Sequence, residues 1–213
     1  CIWHSQINSS ETATYLGINI TETNKGEIEI SQRAYLEKLL EIANMNDCKP
    51  VKTPYSDFQS TQPDDKNTFD KNTYLQLMGA LIFPAGLTRP DLSYAVHKCA
   101  QKCSKPNLGD FRRVKRILRY IKGTLDYKIT FGTGDGKIRL YGYVDAAYQS
   151  YSNGASQYGY SFSLYGTNRR KDATFYARSV KLKLVVLSST EAEYVALCEA
   201  CTEILFLRTL LND

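Results

Sequence analysis

Leu187-Ser188-Ser189-Thr190-Glu191-Ala192-Glu193-Tyr194 reads as the opening turn of a helix that carries two acids. Ser188 and Glu191 have the spacing of a capping box, in which both side chains satisfy backbone N–H groups at a helix start. That gives Glu191 a structural task and leaves Glu193 without one. Upstream, Gly142-Tyr143-Val144-Asp145-Ala146-Ala147-Tyr148 reads as a strand with a single acid in an apolar and aromatic run. An unpaired buried carboxylate costs several kcal/mol. A strand Asp among apolar neighbours therefore points to a ligand role for Asp145, the alternative being an edge-strand Asp in solvent. A buried-strand Asp and a helix Glu brought together make half of a divalent-metal site.

The rest of the composition narrows the class. The 213 residues allow one large or two small domains, with 43% hydrophobic and 23% charged residues, ordinary for a globular protein. The net charge of +5 is mild, so its clustering matters more than its size. No run approaches the roughly 18–20 apolar residues that span a bilayer, and Leu77 to Leu87 is broken by Gly79, Pro84 and Gly86. No membrane partner is expected. No secretory signal opens the chain, and Cys1 in place of an initiating Met reads as a cut in a longer product or a mature end. The six cysteines include Cys99 and Cys103 on one helix face and a Cys198-x-x-Cys201 about two turns into a helix. Zinc would need two such pairs at loops or helix ends, usually with His, and a thioredoxin-type pair would sit at a helix N-terminus. The expectation is buried, reduced thiols in an intracellular protein.

Along the chain, residues 13–20 and 27–31 read as strands around Thr23-Asn24-Lys25-Gly26. A helix follows over 32–44, with Tyr35, Leu36, Leu39, Leu40 and Ala43 as its apolar stripe. Residues 47–70 read as an irregular connector. A helix from Lys71 buries Tyr74, Leu77, Met78 and Leu81. Thr88-Arg89-Pro90-Asp91 reads as a cap, a first-turn proline and a box acid, starting a helix that runs to about Cys103. Asn107 caps the next helix, with Asp110 in its first turn. That helix, to Lys122, buries Phe111, Val114, Ile117, Leu118 and Ile121 and carries Arg112, Arg113, Lys115, Arg116, Arg119 and Lys122 on the rest of its surface. Such a face is either a solvated helix surface or a track for phosphates. Strands follow over 126–131, 137–148, 158–165 and 173–178. Residues 181–187 form another strand or an extended approach to a final helix over 189–211.

Several motifs occur together in one order: Tyr15-Leu16-Gly17-Ile18; Ile30-Ser31-Gln32 with Tyr35; Met45 with Cys48-Lys49-Pro50 and Thr53-Pro54; Gly79-Ala80-Leu81-Ile82; Thr88-Arg89-Pro90-Asp91-Leu92-Ser93-Tyr94-Ala95-Val96; Lys115 to Thr124, KRILRYIKGT; and Ser188-Ser189-Thr190-Glu191-Ala192-Glu193-Tyr194. In this order they resemble the distal part of copia-type retrotransposon Pol polyproteins, over nearly the whole chain after about Thr14. The resemblance implies an α+β chain. A mostly helical region like the thumb and connection of reverse transcriptase covers 1–130, and an incomplete ribonuclease H-like α/β domain covers 135–213. It implies that Asp145 matches the first-strand Asp and Glu193 the helix Glu of ribonucleases H. These two become the candidate catalytic and metal-binding pair, with Glu191 as runner-up. Mg²⁺ is the implied cofactor, since it takes hard oxygen ligands. Implied partners are an RNA–DNA hybrid or duplex nucleic acid, met through Arg112, Arg113, Arg116, Arg119 and Lys122, and the rest of the polyprotein. The implied location is the cytoplasm, a virus-like particle or the nucleus.

The sequence also departs from that family. Asp145-Ala146-Ala147-Tyr148 lacks the second acid of Asp-Ala-Asp. Tyr176 stands where the family has Trp, and Val180-Lys181-Leu182 where it has Lys-Lys-Gln. The Tyr-x-Asp-Asp of the polymerase palm is expected upstream of Cys1, and the later ribonuclease H acids beyond Asp213. Two ions about 4 Å apart need several carboxylates, so the expectation is a chain inactive alone. The competing expectation is a relic or domesticated module that binds nucleic acid or a protein without catalysis. A third, a repurposed role such as secretion by a pathogen, has no support in the motifs.

Overall fold

The computed structural model describes residues 12–56, 70–132, 139–165 and 173–212. Helices and strands are mixed, as α+β requires. The chain divides into two compact units, Cys1–Thr130 and Phe131–Asp213.

The first unit opens with β1 (Thr12–Tyr15) and β2 (Ile18–Glu22), paired antiparallel with Tyr15 opposite Ile18. Leu16 and Gly17 between them have φ of +48° and +78°. Two left-handed residues give the turn whose twist matches a hairpin. The single strand expected over 13–20 is thus two, because an apolar Leu in the turn hides the break. β3 (Ile28–Ser31) pairs with β2 across the Thr23–Gly26 turn, and β4 (Ile129–Phe131) completes the order β1-β2-β3-β4.

Four helices supply the core of this unit. α1 (Arg33–Ile42) buries Leu36, Leu39 and Leu40. α2 (Lys71–Leu87) starts at Asp70, whose carboxylate accepts the Asn72 and Thr73 N–H groups at 3.0 Å each. Pro84 inside α2 offers no N–H to the Ala80 carbonyl. The Tyr35 hydroxyl of α1 takes its place, donating to Ala80 O at 2.9 Å. α3 (Ser93–Ala100) buries Ala95, Val96 and Cys99. α4 (Leu108–Gly123) starts with a complete capping box of Asn107 and Asp110, and buries Val114, Ile117, Leu118 and Ile121.

The helix start expected at Thr88 is organised differently. Pro90–Leu92 forms a short 3-10 helix with no side-chain cap. The Thr88 hydroxyl instead donates to Gln32 Oε1 at 2.7 Å. Asp91 receives Arg89, whose Nε and Nη2 donate to its two oxygens at 2.9 and 2.8 Å. Arg89 is only 1% exposed. Its remaining donors reach the Thr124 carbonyl and hydroxyl at 3.1 and 2.7 Å, just past the end of α4. The Tyr120 and Tyr127 rings lie 5.6 and 5.4 Å from the guanidinium carbon. A buried cation needs this full set of partners, since an unmatched one would disfavour folding.

In the second unit β5 (Arg139–Ala147), β6 (Gln157–Tyr165) and β7 (Ala173–Lys181) form an antiparallel sheet in that order. After Lys181 the chain is irregular, so the approach to the last helix is not a further strand. α5 (Ser189–Asn212) packs on the sheet through Ala192, Ala196 and Ala200, all buried and spaced by four. Gly142 lies beneath it. A Cβ there would stand 2.9 Å from the Phe162 ring and 3.1 Å from Ile204 Cδ1, so a side chain at this position would force Phe162 or Ile204 to shift. No described helix is long and apolar enough to cross a membrane.

The Arg89 cluster yields an ordering of variants. Asp91→Ala strands a buried cation and is expected to destabilise by about 3 kcal/mol. Arg89→Met is expected to be milder, because the Asp91 side chain is 32% exposed and regains water. Urea denaturation of both variants checks this, and a more severe loss in Arg89→Met would refute it.

Candidate functional site

Asp145 lies on β5, opposite Gly159 of β6, and β5 is an edge of its sheet. Asp145 is exposed, which corrects the expectation of a buried strand acid. The apolar run misled because Tyr143, 65% exposed, and Val144 are themselves at the surface. Burial therefore gives no argument for a ligand role, and geometry has to carry it.

That geometry is a shared pocket. Val144 and Asp145 of β5 and Thr190, Glu193, Tyr194, Ala196 and Leu197 of α5 line an open pocket of about 560 Å³. Both acids are exposed, and neither side chain makes a hydrogen bond or ion pair with another described residue. Thr190 stands one turn before Glu193 and adds a hydroxyl to the lining; its three-residue spacing from Glu193 was the available sequence signal. Glu191 is committed elsewhere. Its Oε2 accepts the Leu187 N–H at 2.6 Å, while its own N–H donates to Ser188 Oγ at 3.1 Å. The Tyr148 hydroxyl donates to the Leu187 carbonyl at 3.1 Å, tying the end of β5 to the entry of α5.

Asp145 and Glu193 offer hard oxygen donors of the kind Mg²⁺ takes. Among the described residues no group of three or more His, Cys, Asp or Glu is placed to hold a metal ion. Two carboxylates would supply part of a divalent-ion site, and two ions need more.

The basic helix α4 is more occupied than its sequence implies. Arg113 donates to Asp110 Oδ1 at 2.8 Å. Arg116 Nη2 donates to Thr53 Oγ1 at 2.9 Å, and Arg119 Nε to the Lys49 carbonyl at 2.7 Å. Two of the expected phosphate contacts therefore fasten the connector after α1 onto α4. Arg112 and Lys115 are exposed, with Lys115 Nζ 4.9 Å from the Phe111 ring centre, and Lys122 is half-buried.

The described cysteines are free thiols. Burial pushes the Cys99 thiol up to about 12, which keeps it protonated. Cys198 and Cys201 are exposed, contrary to the expectation of buried thiols, because they lie on the side of α5 away from the alanine seam.

Sequence comparison gives these arrangements a context. The chain is 32% identical over 207 residues to a retrovirus-related Pol polyprotein from transposon TNT 1-94 of Nicotiana tabacum, covering 93% of this chain and 15% of that protein. It is 33% identical over 201 residues to the Pol polyprotein from transposon RE2 of Arabidopsis thaliana, covering 93% of this chain and 13% of that one. It is also 38% identical over 135 residues to secreted RxLR effector protein 161 of Plasmopara viticola, covering 63% of this chain and 90% of that protein. No protein-family model and no solved structure matches the chain. It spans less than a sixth of the two plant polyproteins. With the motifs in one order along nearly its whole length, the chain belongs to the retrovirus-related Pol polyproteins of copia-type transposons.

Proposed function

We propose that the chain is the stretch of a Pol polyprotein joining the thumb- and connection-like end of a reverse transcriptase to the first part of a ribonuclease H-like domain, which acts on the RNA of an RNA–DNA hybrid. The observation that carries this reading is the pocket lined by both Asp145 and Glu193, one from a strand and one from a helix, neither side chain bonded to another described residue. Bound Mg²⁺ would supply an activated water and charge neutralisation at the leaving oxygen. The two carboxylates would hold it, and Glu191, by closing the helix start, keeps Glu193 turned toward β5. With two acids in place of the full set, the chain alone is inactive.

A second reading is a non-catalytic module that binds nucleic acid or a protein. The Plasmopara protein favours it, since the matched segment makes up 90% of that chain. A stretch of this kind exists there with little else attached.

The isolated chain is expected to show no cleavage of an RNA–DNA hybrid with Mg²⁺ or Mn²⁺. Cleavage that vanished in Asp145→Asn would overturn the claim of an incomplete site. Joined to the segment that follows the matched region in a full-length relative, the chain is expected to cleave. Asp145→Asn or Glu193→Gln should then abolish the reaction. Glu191→Gln should cost about 0.5–2 kcal/mol of stability and leave the reaction intact. Equal loss of activity in Glu191→Gln and Glu193→Gln, with folding unchanged, would show that the roles are misassigned.

Duplex binding through α4 is expected to be weak and sensitive to salt. With Arg112, Lys115 and Lys122 meeting about three phosphates, log affinity should fall against log salt with a slope of about −3. Arg112→Gln with Lys115→Gln should flatten that slope by about 2. Arg116→Gln with Arg119→Gln should instead lower the melting temperature, because these two hold the connector. Binding indifferent to salt would assign α4 to structure alone.

A further inference from the structure

Residues 48–56 lie against α4 with no helix or strand of their own. Three contacts place them. Pro50 sits at the end of the helix, where a Cβ on Gly123 would stand 3.0 Å from its own Cβ. Arg119 Nε donates to the Lys49 carbonyl, and Arg116 Nη2 donates to the Thr53 hydroxyl oxygen at 2.9 Å. The Lys49 contact uses backbone and takes any side chain there. The Thr53 contact needs a hydroxyl. That hydroxyl is exposed, and its own proton goes to the Tyr55 carbonyl at 3.3 Å.

Pro54 follows Thr53, and a residue before proline is held in extended conformation. Thr53-Pro54 is the one Ser/Thr-Pro dipeptide in the 213 residues. An exposed hydroxyl on extended chain before a proline is the form in which proline-directed protein kinases take their substrates. The surroundings then suit the product better than they suit the hydroxyl. Arg116 here meets a neutral oxygen, whereas a phosphate carries about −1.5 to −2 charges at pH 7 and three strong acceptors, and a guanidinium can grip two of them at once. Arg112, exposed, stands one helical turn before Arg116, and Lys52, also exposed, precedes Thr53 in the chain. Neither residues 48–56 nor α4 from Phe111 to Gly123 contains an acid that would repel the dianion.

We propose that Thr53 is a phosphorylation site for a proline-directed kinase, and that Arg116 of α4 receives the phosphate. The co-reactant is ATP. Thr53 Oγ1 forms a bond to the γ-phosphorus, the bond from that phosphorus to the β,γ-bridging oxygen breaks, ADP leaves, and the hydroxyl proton passes to the kinase's base. The modified connector is held more firmly on α4 than the unmodified one. It also sets a dianion on the basic face of that helix, against the phosphates of a bound duplex. This last consequence rests on the reading of α4 given above, and the acceptor site does not.

Treatment of the full chain with a proline-directed kinase and Mg-ATP, followed by peptide mapping, tests the acceptor. One phosphate is expected, on Thr53, and Thr53→Ala or Pro54→Ala should abolish it. A folded chain that takes no phosphate at Thr53 would overturn the site. Phosphorus NMR of the modified chain tests the receiving group. The phosphate's second pKa should lie below its value in the same chain unfolded in urea, and Arg116→Gln should remove the difference while Arg116→Lys keeps part of it. Phosphorylation should also raise the melting temperature by about 3 °C, and not in Arg116→Gln. A phosphate that titrates alike in folded and unfolded chain, with no change in melting, would overturn the pairing. In duplex binding the slope of log affinity against log salt should fall from about −3 to about −1 on phosphorylation, and an unchanged slope would overturn the competition. A chain that binds no duplex before modification contradicts the reading of α4 instead, and is told apart because the mapping and titration involve no duplex.

Discussion

Helix α5 lies on its sheet through alanines, and the geometry of the pocket follows from that contact. Ala192, Ala196 and Ala200 form one ridge, and Gly142 leaves the strand surface bare beneath the helix. Larger residues along this seam would lift the helix from the sheet. With the seam closed, the residue after Ala192 is Glu193, and it stands at the rim beside β5, where Asp145 is. The alanines therefore set the distance between two acids that are almost fifty residues apart in sequence. The Glu191 and Ser188 bonds fix where the helix begins and hence which residue reaches the rim.

The first unit depends on a different device. Its helices meet around aliphatic side chains, but the ends of α2 and α4 are joined through polar contacts to Arg89. The same reasoning applies to Pro84, whose missing N–H is offset by the Tyr35 hydroxyl, and to Arg116 and Arg119, which hold the connector. Several charged or polar residues that a reading of the surface would give to ligands are therefore taken up in holding elements together. The basic face that remains on α4 is narrower than the count of its lysines and arginines.

Features set by local spacing were readable in the sequence. Asn107 with Asp110 and Ser188 with Glu191 announced their helices, and the stripes of α1, α2 and α4 named the core residues. Features set by distant partners were not. Arg89 looked like part of a helix start because its partner Thr124 lies 35 residues away. Asp145 looked buried because strand order, not local pattern, decides which strand is an edge. Leu16 in a left-handed turn concealed a hairpin, since an apolar residue gives no turn signal. The pairing of Asp145 with Glu193 was reached by resemblance, and the two residues line one pocket.

A Mn²⁺ titration of the ¹⁵N-labelled chain tests the shared pocket most directly, because the ion broadens amide signals close to where it binds. The account predicts that the amides of Val144, Asp145, Glu193 and Tyr194 broaden together and before others, and that Asp145→Asn with Glu193→Gln removes the effect. Broadening confined to only one of the two segments, or unchanged in that double variant, would contradict it.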